Sequence, residues 1–212
     1  MFDFLKPNEI DILCKFVSKN DLILIVGPMG DIKHDPTILI LTKKIKNNNL
    51  IIIDNRAGQI NAPKIKKNEF NYSDNKYGGE KECIPYGDLF ETKKSIIKVT
   101  SHPHNFVITD ALNMSFGENK FDIIIDRITH EFIFRVHKSI KKLIEEYYRV
   151  LKNKGKVIFF SNSKYSILLA EIKNSNFKIL KSGRIKKNEK LIIDGQELTF
   201  EHDVTKYVVI QK

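Results

Sequence analysis

Three aspartates stand at the ends of apolar runs: Asp54 after LIII, Asp110 after FVIT and Asp126 after FDIII. A fourth run, DLILIV, ends in Gly27-Pro28-Met29-Gly30. A carboxylate at a strand end can accept the paired hydroxyl hydrogen bonds of a ribose. A strand that only had to turn needs one glycine; two, three positions apart, let a ligand lie against bare backbone. The pattern is G-x-x-G and not the G-x-G-x-x-G of a dinucleotide pyrophosphate site. Together these residues point to a nucleoside ligand. Just beyond the fourth strand, His130-Glu131 reads either as an acid-base pair or as the start of a loop, and Asp126-Arg127 reads equally as a local ion pair. His102 and His104 lack a nearby carboxylate or cysteine pair and read as loop residues, so no metal site is expected.

The elements that must carry these residues follow from periodicity. Asn8 caps a helix over 8–18 with Ile10, Leu13, Phe16 and Val17 on one face. The run 22–26 is apolar on both faces, as in a central parallel strand. Asp35-Pro36 opens a helix through Ile38, Leu41 and Ile45, and the strand 50–53 completes a βαβ unit. The polar stretch 55–87, too long for an ordinary connection, reads as an insertion. From Arg56 to Gly87 it is expected to form a substrate-facing lid, with Tyr72, Tyr77 and Tyr86 available to stack on a flat acceptor. Further elements are a helix over 88–99, strands over 106–109 and 121–125, a helix over 138–152 stopped by Gly155, a strand over 156–160, a helix carrying Tyr165 to Ile172, and strands near 177–180 and 207–210. A hairpin over about 190–200 turns at Asp194-Gly195. The fold class is α/β: an open, mostly parallel seven-stranded sheet in a single domain spanning 1–212, with helices on both faces and an antiparallel strand near the C-terminus. Ligands in such sheets bind at the carboxyl ends of the strands.

Composition narrows the class. With 42% hydrophobic and 29% charged residues, the 212-residue chain is that of an ordinary globular domain. Two cysteines make no disulfide framework. No signal peptide or bilayer-length apolar run is read, so a cytoplasmic location and no membrane partner are expected. The net charge of +10 permits RNA as a partner, although the basic residues are dispersed along the sequence. Oligomeric state is not legible.

Two stretches, FVITDALNMSFGENKFDIIIDR and EEYYRVLKNKGKVIFFS, resemble the class I (Rossmann-like) S-adenosylmethionine-dependent methyltransferases. The resemblance rests on Asp110-Ala111, Met114-Ser115-Phe116, Phe121-Asp122, Arg149 to Lys152 and Gly155. It implies S-adenosylmethionine as cofactor, with Gly27, Pro28 and Gly30 beneath its methionine part, Asp54 on the ribose and Asn55 beside the adenine. It further implies that Asp110 accepts from the adenine amino group, Ala111 donates its backbone N–H to the ring, and Asp126 faces the sulfonium. Arg127 and Glu131 would meet the substrate, and His130 is the candidate general base. Met29 or Asp31 replaces the family's third small residue in the glycine loop. The position after the fourth strand reads Asp126-Arg127-Ile128-Thr129, without the Pro-Pro-aromatic signature of exocyclic-amine base methylation. The acceptor is a small molecule or RNA. The alternatives are an NAD-dependent Rossmann oxidoreductase, which Asp54 would also serve, and a non-catalytic methyltransferase-like binding module.

Overall fold

A computed structural model of the chain describes residues 7–27, 37–47, 49–54, 105–186, 188–193, 196–201 and 205–212. The expected lid over 55–87, the helix over 88–99, the histidines of SHPH and residues Pro28, Gly30 and Asn55 lie outside them. The strands are β1 (Ile23–Val26), β2 (Leu50–Asp54), β3 (Asn105–Ile108), β4 (Phe121–Arg127), β5 (Leu151–Ser161), β6 (Lys178–Arg184), β7 (Asn188–Ile193), β8 (Gln196–Glu201) and β9 (Lys206–Gln211). The helices are α1 (Glu9–Phe16), α2 (Thr37–Leu39, continued by a π-helical turn Ile40–Lys44), α3 (Thr129–His137), α4 (Lys141–Val150) and α5 (Tyr165–Lys173).

The main sheet has the order β3-β2-β1-β4-β5-β9-β6, and β7 and β8 form a separate hairpin. β1 to β5 are parallel, whereas β9 runs antiparallel to both β5 and β6. The strand order reverses between β1 and β4, the switch point at which crevices open in such sheets.

All four residues of β1 are buried. Ile23 and Ile25 point to one face, with Ile12, Leu13 and Leu39 of α1 and α2. Leu24 and Val26 point to the other, with Leu143 and Tyr147 of α4 and Leu168 of α5. Two covered faces explain why the strand reads as a continuous apolar run. α1 begins as expected: Asn8 accepts the Asp11 N–H at 2.7 Å and Asp11 returns a bond to the Asn8 N–H at 3.1 Å. Its buried face is Ile12 and Leu13 together with the charged Glu9, however, and Ile10 is only partly buried.

Four expectations are corrected. β4 runs through Arg127, so Asp126 lies within the strand and not beyond it. The segment after Ile128 is a nine-residue helix, α3. The long helix spans only 141–150, and Leu151, though buried, is already in β5. Gly155 does not stop a helix; it lies inside β5 beside a register irregularity. A Cβ there would stand 2.7 Å from Leu151 Cγ and 3.0 Å from the Asp122 carbonyl, so the glycine permits close approach of β5 to β4.

Candidate functional site

The strand register fixes the site's outline. Val26 is level with Ile53 on one side and Asp126 on the other, and Asp54 is level with Ile108. The carboxyl ends of β1, β2, β3 and β4 therefore form one row, with Gly27, Asp54, Asp110 and Arg127 along it.

Gly27 adopts φ +61, a left-handed conformation open to glycine at little cost. Its N–H donates to the Ile53 carbonyl at 3.0 Å, tying the turn to β2. The side on which a Cβ would project is occupied: Thr129 Oγ1 would be 2.2 Å from it. That hydroxyl donates to the Val26 carbonyl at 2.9 Å. The first glycine is thus required by the β4–α3 turn as well as by its own backbone. The turn is itself strained: Ile128, a β-branched residue, sits at φ 68.

Asp110 is exposed at the end of β3. One carboxylate oxygen accepts the Leu112 N–H at 2.9 Å, an Asx turn that fixes the carboxylate at the row. Ala111 is buried beside it. The following loop is clamped from α4. Arg149 donates to the carbonyls of Met114 at 3.0 Å and Phe116 at 2.8 Å, and Glu146 accepts the Met114 N–H at 2.6 Å. Arg149 also bonds Glu146 through two nitrogens, at 2.6 and 2.8 Å. The Arg149 partner holds the Glu146 carboxyl below its ordinary value against modest desolvation. The two motifs that looked separate in the sequence are one hydrogen-bonded unit.

Four expected site residues go instead to the interior. Asp126 is 0% exposed; it accepts Tyr147 Oη at 2.7 Å and faces His130 Nδ1 at 3.0 Å. Burial, and then the Asp126 charge, push the Tyr147 hydroxyl far above its usual range. His130 Nε2 lies 3.1 Å from Ser161 Oγ, which donates its single proton to Glu131 at 2.9 Å. Both ring nitrogens thus have partners inside the protein, and the ring itself is buried. The order Asp126–His130–Ser161 has the composition of a nucleophilic triad. Ser161, however, is wholly buried and bonded to Glu131, so it is not placed to attack anything.

Glu131 is likewise turned into the interior. It accepts from the Ser161 hydroxyl, the Asn162 N–H at 2.6 Å and the Ser163 hydroxyl at 2.8 Å, fastening the β5–α5 loop to α3. Burial alone would raise its carboxyl, but these three donors outweigh it and the net shift is downward. Arg127 makes no pair with Asp126. Its Nη1 reaches Glu9 Oε2 at 3.0 Å across 118 positions of chain, with both side chains fully buried, and Glu9 also accepts from Thr37 Oγ1. Sequence reasoning missed Glu9, Tyr147, Thr129 and Ser161. Only Glu9 carried a signal, as an acid on the apolar side of α1.

Among the described residues no helix is long and apolar enough to cross a membrane, and no three potential ligands gather for a metal ion. Residues 88–159 match the methyltransferase domain family. Among curated proteins none matches the chain. Solved structures similar in fold include a putative methyltransferase from Bacillus halodurans, at 14% identity and TM-score 0.57, over 96% of this chain and 97% of that one. A S-adenosylmethionine-dependent methyltransferase from Aquifex aeolicus aligns over 100% of this chain and 93% of its own, at 11% identity and TM-score 0.55. A putative methyltransferase of Haloferax volcanii, solved with the Trm112 methyltransferase activator, aligns over 94% and 85%, at 11% identity and TM-score 0.58. The match over 88–159 spans the Asp110 loop, β4, α4 and most of β5, and the fold match extends over nearly all of the chain, so this protein has the fold of the class I S-adenosylmethionine-dependent methyltransferases.

Proposed function

We propose that the chain transfers the methyl group of S-adenosylmethionine to a nucleophile on an acceptor, small molecule or RNA. The level row of strand ends beside the switch point carries this reading, because it brings the Gly27 turn, Asp54 and the exposed Asp110 carboxylate to one edge. Bound there, the cofactor supplies an electrophilic methyl carbon on a sulfonium, which the acceptor's nucleophile displaces. The residues assigned to holding it are Gly27, Pro28 and Gly30 at the methionine end, Asp54 at the ribose, and Asn55, Asp110 and Ala111 at the adenine. The protein's task is alignment and exclusion of water. In this reading Asp126, His130, Glu131 and Arg127 are positioning residues. They brace α1, α3 and the β5–α5 loop around the edge.

Calorimetric titration with S-adenosylmethionine, S-adenosylhomocysteine and NAD tests the assignment. The first two should bind and NAD should not. Tight NAD binding without S-adenosylhomocysteine binding would instead establish the oxidoreductase reading.

A further inference from the structure

The segment RVHKSIKK, residues 135–142, joins α3 to α4. Arg135, Val136, His137, Lys138, Lys141 and Lys142 are all exposed. No acid occurs between Phe132 and Ile144. The nearest in sequence on α4, Glu145, lies 3.8 Å from Lys141 in an exposed pair, which offsets little of the field. Arg135 stacks over the half-buried ring of Phe132, 5.6 Å from its centroid. Lysines that looked dispersed in the sequence thus include one compact cationic corner with an aromatic at its edge.

Topology places this corner. β4 delivers the chain to the carboxyl edge at Arg127, and β5, parallel to β4, begins at the opposite edge. α4 makes the return, so its first residues lie at the carboxyl edge. Tyr147 still reaches Asp126 near the end of β4, and Lys141 lies six residues, or about 9 Å, further up the helix. The corner therefore lies at the same end of the sheet as the row assigned to the cofactor.

We infer that the α3–α4 corner binds the phosphate backbone of a single-stranded RNA and presents it to the methyl-transfer edge. The inference rests on the proposed function and deepens it by naming the acceptor class. A cationic surface neutralises phosphates with release of counterions. An arginine plane beside an aromatic ring accepts the unstacked bases that single-stranded RNA exposes.

The test is fluorescence anisotropy of a short labelled single-stranded RNA over a salt series, on wild type and two triple variants of equal charge change. K138A/K141A/K142A removes the corner. K173A/K178A/K181A removes exposed lysines on α5 and the far edge strand β6. The corner variant should bind at least about tenfold more weakly, and its log–log salt slope should fall by about 2, at roughly 0.7 per lost contact. The distal variant should stay within about twofold of wild type, since its residues make no contact in this arrangement. Equal losses in both variants would assign binding to overall charge and overturn the proposal. So would wild-type protein that leaves the RNA free at moderate salt, or a corner variant that loses affinity for phosphatidylserine vesicles but keeps it for RNA. Calorimetry with S-adenosylhomocysteine on the same samples separates the two readings. Retained cofactor binding with absent RNA binding removes only the corner, whereas absent cofactor binding in wild type removes the reading beneath it.

Discussion

Tyr147 illustrates how one atom decides whether a carboxylate belongs to the core or to a ligand. Its hydroxyl is a partner that lets Asp126 remain inside the protein without solvent. Tyr147→Phe should cost on the order of 2 kcal/mol in urea unfolding, because a charged acceptor is left short of a donor while the ring still fills its place. Asp110 is the converse. Being exposed, it contributes little to stability, so Asp110→Asn should leave unfolding within about 0.5 kcal/mol of wild type. The same change should weaken S-adenosylhomocysteine binding by about 1–3 kcal/mol in calorimetry. Unchanged cofactor affinity in a folded Asp110→Asn variant would take that carboxylate out of the site. Residue identity alone could not separate the two aspartates. Both end apolar runs in the sequence, and only the two further residues of β4, with Tyr147 reaching in from α4, bury one and leave the other open.

At the scale of elements, the β1–Gly27 turn and the β4–α3 turn are one construction. Gly27→Ala should destabilise by about 1–3 kcal/mol, through its positive φ and the collision with Thr129. Adding Thr129→Ala should recover part of that loss in thermal unfolding, leaving the backbone component. A pair of strictly additive effects would show that the contact is not made. β1 to β4 were legible because each is a dense apolar run that meets a Gly or Asp at its carboxyl end. α3 was not, since it follows β4 without a side-chain cap, entered through Ile128 in a left-handed conformation, and THEFIFRVH shows no clean apolar stripe. Gly155 was misread for a related reason: a glycine just past a helical stripe usually marks the helix end, yet here β5 starts immediately at Leu151 and the glycine serves strand approach. The Arg127–Glu9 pair had no local signal at all, being a contact across 118 positions.

For the whole molecule, acid should be the sensitive direction. Asp122, Glu131 and Glu146 all have folded-state carboxyls below their ordinary values of 3.8, 4.5 and 4.5. For Asp122, desolvation opposes the shift, but the Lys152 and Leu22 bonds prevail. Depressed carboxyls add stability that is present above those ordinary values and is lost as pH falls through the folded ones. Stability should therefore decline below about pH 4.5, and Glu131→Gln should flatten that decline in a pH series of urea midpoints. An unchanged acid slope would mean that the Ser161–Ser163 donors do not hold Glu131 ionised. The β7–β8 hairpin bears on the molecule differently. Its roots are already joined without it: Arg184 pairs with Lys206, and the Ile185 N–H donates to the Thr205 carbonyl at 2.9 Å. The main sheet closes below the hairpin, so residues 188–201 behave as an exchangeable port. A reporter domain spliced into this position, or a short turn replacing it, should leave the melting temperature of the remaining domain close to that of the parent.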